Sequence, residues 1–185
     1  MEIRITTNQI LTLLQIISWV IFLGLCVEAG AVAVNTFITL FVNPAGVQNF
    51  WEEKEYLARV LAFDRGYFIV ITSTMIIVTV LKAIMFYMIV KLFVEKKLRI
   101  SQPFSTALRN FIIKQSYMAL GIGIFSHTGY KYSAWLTKQG MGTADLLSLH
   151  ISGADVWIFM AVILFVIAQV VKKGIEVQTE NDLTI

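Results

Sequence analysis

Glu28 is the only charge in the apolar run "LGLCVEAGAVAVNTF" (residues 23–37), and Lys82 is the only one between Tyr67 and Val90. A lone ionised side chain in hydrocarbon costs about 2.5–3.5 kcal/mol on insertion scales, so such residues are functional candidates by default. Opposite charges can offset that cost by pairing, and a pair can register helices or hold an ion, a headgroup or a small ligand. Gly24, Glu28, Ala31 and Asn35 are spaced by 4, 3 and 4 residues and so share one helical face. Thr79 precedes Lys82 by one helical turn. At about 1.5 Å per residue, Lys82 lies roughly 18 Å from Val94 and Glu28 roughly 25 Å from Leu11. Two extended side chains can close that difference. The expected arrangement is a Glu28–Lys82 ion pair inside packed helices, with Asn35 and Thr79 completing a small polar cavity. The small residues of the stripe are expected to let a neighbouring helix, or a second copy of the chain in a homodimer, approach closely.

Other residues with chemical capacity are sparse. His127 and His150 are the only histidines and Cys26 the only cysteine. Two histidines on neighbouring helices suit a haem or a metal, although ordinary interfacial hydrogen bonding is the simpler reading. One cysteine excludes an intramolecular disulfide or a dithiol redox motif, and a buried thiol is expected. Lys114 reads as a snorkelling lysine and Gln169 as an interhelical hydrogen-bonder. No P-loop, nucleophilic triad or metalloprotease helix is present. The expectation is a non-enzymatic protein without a cofactor.

The elements that must position these residues are membrane spans. Of 185 residues 57% are hydrophobic and 15% charged, well below the quarter that soluble domains carry. The apolar residues fall in blocks at about 10–42, 67–94, 111–130 and 152–171, each near or above the roughly 20 residues that cross a bilayer. This implies an all-α, four-helix transmembrane bundle forming one domain. Nine basic residues flank the N-terminus, the 95–110 loop and the C-terminus, against five in and beside 43–66 and 131–151. The positive-inside rule therefore puts both termini in the cytoplasm. A net charge of +3 without a basic stripe argues against direct binding of nucleic acid. In the first outer loop, Phe50, Tyr56, Leu57, Val60 and Leu61 predict a short amphipathic helix, on the membrane surface or capping the bundle. In the inner loop, Ser101 and Pro103 suit the start of the third long helix.

Two cytoplasmic segments carry a resemblance. The terminal "ENDLTI" (Glu180, Asn181, Asp182, Leu183, Thr184, Ile185) and "QPFSTALRNFIIK" around Pro103 and Phe104 resemble the DUF2975 family, small four-helix bacterial membrane proteins. The resemblance implies a bacterial inner-membrane location. It also implies a small helix-turn-helix regulator as a cytoplasmic partner, held by the Pro103–Phe104 segment and the tail. The first functional expectation is thus a membrane sensor or anchor. The alternative is a small transporter or immunity-type protein that binds a lipid, peptide or small ligand near Glu28 and Lys82.

Overall fold

The computed structural model describes residues 7–95 and 104–182 of the chain. All regular structure among them is helical. Helix α1 spans Thr7–Phe37 and runs into a π-helical turn, Ile38–Val42. A 3-10 segment, Pro44–Asn49, leads to α2 (Lys54–Phe63), followed by α3 (Arg65–Val94), α4 (Thr106–Leu136) and α5 (Ala154–Asp182).

Local chemistry sets these boundaries. Asn43 Oδ1 accepts from the Ala45 amide (2.9 Å) just before Pro44, which starts the 3-10 segment. Asp64 Oδ1 accepts from the Gly66 and Tyr67 amides (2.6 and 3.1 Å) and caps α3. Ser105 Oγ accepts from the Leu108 amide (3.2 Å) and caps α4. The cap of this helix is therefore Ser105, four residues beyond the expected Ser101, which with Pro103 lies outside the described residues. Each such cap satisfies amides that the first turn leaves orphaned.

Among the described residues, three helical segments are long and apolar enough to cross a membrane: Gln9–Val42, Arg65–Val94 and Ala154–Asn181. The remaining long helix, α4, has 31 residues but carries Arg109, Lys114, Gln115 and Lys131, and is too polar to qualify alone. Its position is nonetheless central. The packing order is α1 on α3, α3 on α4, and α4 on α5. Among the described residues α1 and α5 are not paired with each other, so the long helices form an open row with α4 inside it. Two polar side chains of α4 are bonded to these neighbours: Gln115 Nε2 donates to the Met85 carbonyl (3.0 Å) and Ser116 Oγ to the Ala161 carbonyl (2.8 Å), while Lys114 and Lys131 are exposed. Ser116, Ala119, Gly123, Ser126 and Ser133 make a buried small-residue seam along α4. Close backbone approach in the row thus occurs on α4, whereas Gly24 of α1 has no neighbour within 4 Å of where a Cβ would stand.

The best-packed part of the molecule lies at the end where α2 sits. Tyr56, Leu57 and Val60 of α2, Phe68 and Ile71 of α3, Leu136 of α4, and Leu149 and Ile151 of the following loop are all essentially inaccessible and form one cluster. Of the two expected positions for the amphipathic helix, the structure has the cap. Arg59 Nε donates to the Met141 carbonyl (3.0 Å), and Tyr56 Oη lies 3.5 Å from Ser133 Oγ, so α2 also fixes the chain that leaves α4. Among the described residues, the opposite, open end has only a small cluster of Ile112, Ala168 and Val171.

Candidate functional site

The site grows from one turn of chain, residues 145–151, between α4 and α5. Asp145 Oδ1 accepts from the Leu147 amide (3.0 Å) and Oδ2 from the Ser148 hydroxyl (2.9 Å), which fixes the start of the turn. At its end the Ile151 amide donates to the Leu146 carbonyl (3.1 Å) and the His150 amide to the Leu147 carbonyl (2.9 Å). This crossed pair of bonds closes a helical turn in the Schellman manner, with its penultimate residue in the left-handed region. That residue is normally glycine. Here it is His150, at φ 60, in a conformation that costs an L-residue about 1–2 kcal/mol.

What holds His150 there is the contact it makes on both sides. Its Nδ1 lies 3.2 Å from Glu28 Oε1 of α1, and its carbonyl accepts a hydrogen bond from Lys82 Nζ of α3 (2.9 Å). Glu28 and Lys82 therefore converge, but through the histidine, and the expected direct ion pair does not form. The reason is geometric. A helical turn ends in unsatisfied carbonyls, and the Lys82 ammonium reaches one of these before it reaches the carboxylate. Glu53 is the second non-glycine residue at positive φ among the described residues. Its Oε1 accepts from the Asp145 amide (3.1 Å), so both left-handed residues anchor the same loop.

Beside this triad is a cleft of about 420 Å³. One wall is α1, at Gly24, Val27, Glu28, Ala31 and Val32; the others are Phe50, Trp51 and Glu52, Met75 of α3, and Ser148 and His150. Most of the lining is apolar, and Trp51 stands 81% exposed beside it. The small-residue stripe of α1 was expected to seat a helix; instead Gly24 and Ala31 leave room for the cleft. Glu28 and Glu52 supply two carboxylates against the single ammonium of Lys82, with the His150 imidazole against Glu28. The arrangement favours a positively charged group on an apolar body. A carboxylate with one oxygen engaged keeps acceptor capacity on the other, and an exposed tryptophan face attracts cations.

The other expected site residues fall elsewhere. Asn35 Nδ2 donates to the Asn49 carbonyl (3.0 Å) and braces the 3-10 segment. Thr79 is fully buried and its hydroxyl bonds back to the Met75 carbonyl (2.9 Å), so neither residue lines the cleft. His127 lines a separate cavity with Tyr130 and Asp155, which places the two histidines in different cavities. Cys26 is exposed on α1 instead of buried. Gln169 is exposed, and the interhelical bond expected of it is made by Gln115. At the open end α5 continues as helix to Asp182 and carries Glu180 and Asn181; Leu183, Thr184 and Ile185 lie outside the described residues. The Phe104 ring lies against Gly174 of α5, within 3 Å of where a Cβ would stand, six residues before Glu180.

His150 was the residue that sequence reasoning set aside. Its neighbours did carry a signal: "TADLLSLHI" has an Asx-type start and an apolar close. The pairing with Glu28, however, depends on a left-handed backbone that a histidine does not announce. Electrostatics around the site's frame follow its bonding. The Leu147 amide and the Ser148 hydroxyl and amide hold the Asp145 carboxyl below the usual carboxylate range. Burial pushes the Tyr56 phenol above its ordinary value, against the hydrogen bond from Ser133.

Taken together, fold and site define, among the described residues, an all-helical protein with three helices long and apolar enough to cross a membrane and a charged, mainly apolar cleft at the capped end. Comparison with protein-family models, curated proteins and solved structures finds no match for this chain.

Proposed function

We propose that this protein is a non-enzymatic sensor of a bacterial inner membrane, and that it binds a cationic amphiphile in the cleft beside Glu28 and His150. The observation that carries the reading is that cleft: carboxylates at a polar corner, a small-residue wall on a membrane-length helix, and a strained His150 whose contacts join α1, α3 and the loop. A ligand head displacing His150 from Glu28 would change what holds the loop in place, which is a physical route from occupancy to conformation.

In this reading all four long helices cross the bilayer. Support for α4 comes from its neighbours: it packs along α5 and α3, both of membrane length, and bonds Gln115 and Ser116 to them. Both termini are then cytoplasmic, in line with the basic residues, and the α2 cap faces outward. The projecting end of α5, with Phe104 against it, is the output surface for a small helix-turn-helix regulator, as the DUF2975 resemblance implies. Truncation after Thr179 is expected to abolish co-purification of such a regulator while leaving the melting temperature unchanged. Equal recovery with both forms would refute the output role.

The ligand site is tested by melting the protein in nanodiscs with dodecylamine and, separately, with uncharged dodecanol. At about 100-fold over its Kd a ligand stabilises by about 2.7 kcal/mol, on the order of 5–10 °C for a chain of this size. The amine is expected to produce that shift and the alcohol not to. Glu28→Gln should remove it by deleting the charge. Gly24→Leu should remove it by filling the cleft, and open space at Gly24 lets that variant fold. A shift of the same size in both variants would contradict the reading.

A further inference from the structure

We infer that the groove between the last turns of α3 and the first turns of α4 seats one anionic phospholipid. It is a cavity of about 530 Å³ at the open end, far from the Glu28 cleft. Its lining changes character along its length. Lys91 and Asn110 stand near the ends of their helices, while Ile84 and Met88 of α3 lie one to two turns deeper, with Phe111 of α4 beside them. A phospholipid has the same order of parts, headgroup first and acyl chain beyond.

Lys114 completes the polar end. It is eight residues into α4, roughly 12 Å above Thr106, and lines the same cavity as Lys91. A lysine at that depth extends its ammonium toward the interface along its own apolar stem. Lys91 is partly neutralised by Glu95, with Nζ 3.7 Å from Oε1 in a half-exposed pair, and such pairs contribute little. Among the described lining residues, two ammonium groups against one carboxylate leave one excess positive charge, the complement of one phosphodiester. A zwitterionic lipid would add a second cation to the site, so the groove selects for net negative charge. Free phosphate would satisfy the lysines but leave the deeper apolar part empty. Basic pockets between membrane helices are a recurrent seat for acidic headgroups.

The test is native mass spectrometry of the full chain with equimolar dioleoyl phosphatidylglycerol and phosphatidylcholine in mild detergent. We expect the phosphatidylglycerol adduct to exceed the phosphatidylcholine adduct about fivefold, the effect of roughly one uncompensated surface lysine. Lys91→Gln with Lys114→Gln should bring the two adducts to parity, Lys114→Arg should keep the preference, and Lys138→Gln at the capped end should leave it unchanged. Both lysines are at the protein's surface, and a retained helical circular-dichroism spectrum shows that the double variant folds. Equal adducts in the parent, a preference that survives the double substitution, or displacement of the lipid by inorganic phosphate would each overturn the inference.

Discussion

Gly123→Leu is expected to unseat α5 from α4. A Cβ at Gly123 would stand 2.6 Å from Ile158 Cγ1, 3.1 Å from the Ile158 amide nitrogen and 3.2 Å from the Ala154 carbonyl oxygen. Two of these three atoms are backbone and cannot rotate away, so the helices themselves must separate. Overpacking costs about 1–3 kcal/mol in ordinary cores and occasionally more. Leucine places three further carbons into the clash, so about 3 kcal/mol or more is expected. Among the described residues no other long helix packs on α5, so its register depends on the α4 contact. The melting temperature in nanodiscs should fall by on the order of 6–12 °C. Gly123→Ala should fall by less, and Gly24→Leu, made where nothing lies within 4 Å, should not fall. Unchanged melting of Gly123→Leu would mean that α5 does not pack here.

The second large effect is expected from Phe68→Ala. Phe68 is fully buried, and its ring meets Phe50 edge-to-face at a centroid distance of 6.3 Å. Removing a buried phenylalanine costs about 3–5 kcal/mol, because transfer energy is lost and a cavity remains. The consequence reaches the site, since Phe50 lines the cleft and loses its support when Phe68 is truncated. Phe68→Ala should therefore both lower the melting temperature and weaken dodecylamine binding, whereas Gly24→Leu should affect binding alone. Melting within about 1 kcal/mol of the parent would show that the α2 end is not a packed core.

The contrast between these two positions indicates what the amino-acid pattern could reveal. Membrane-length apolar runs are local, and so α1, α3 and α5 were legible from composition and length. So was α2, whose Tyr56, Leu57 and Val60 recur at helical spacing. Glu28 and Lys82 were legible as the two charges needing explanation, and the structure does bring them to one place. Their mediator was not legible, because His150 acts through a backbone carbonyl and a left-handed turn, neither of which a residue type specifies. The Gly24 stripe was misread for a related reason: small residues permit close approach but do not say whether a helix or a cavity takes the space. The helix α4 was legible too, as the 111–130 run, but the signal of its packing seam was overlooked. Ser116, Ala119, Gly123 and Ser126 repeat by three and four, the mark of a helix packed closely along one small-residue face.

The most direct test of the central claim is photolabelling in nanodiscs with an alkylamine that carries a diazirine on its chain. The label should fall on peptides containing Gly24 to Val32 and Phe50 to Glu52, compete with unlabelled dodecylamine, and disappear in Gly24→Leu. Label spread over the lipid-exposed faces of α1 and α5, indifferent to competitor and to Gly24→Leu, would contradict the account.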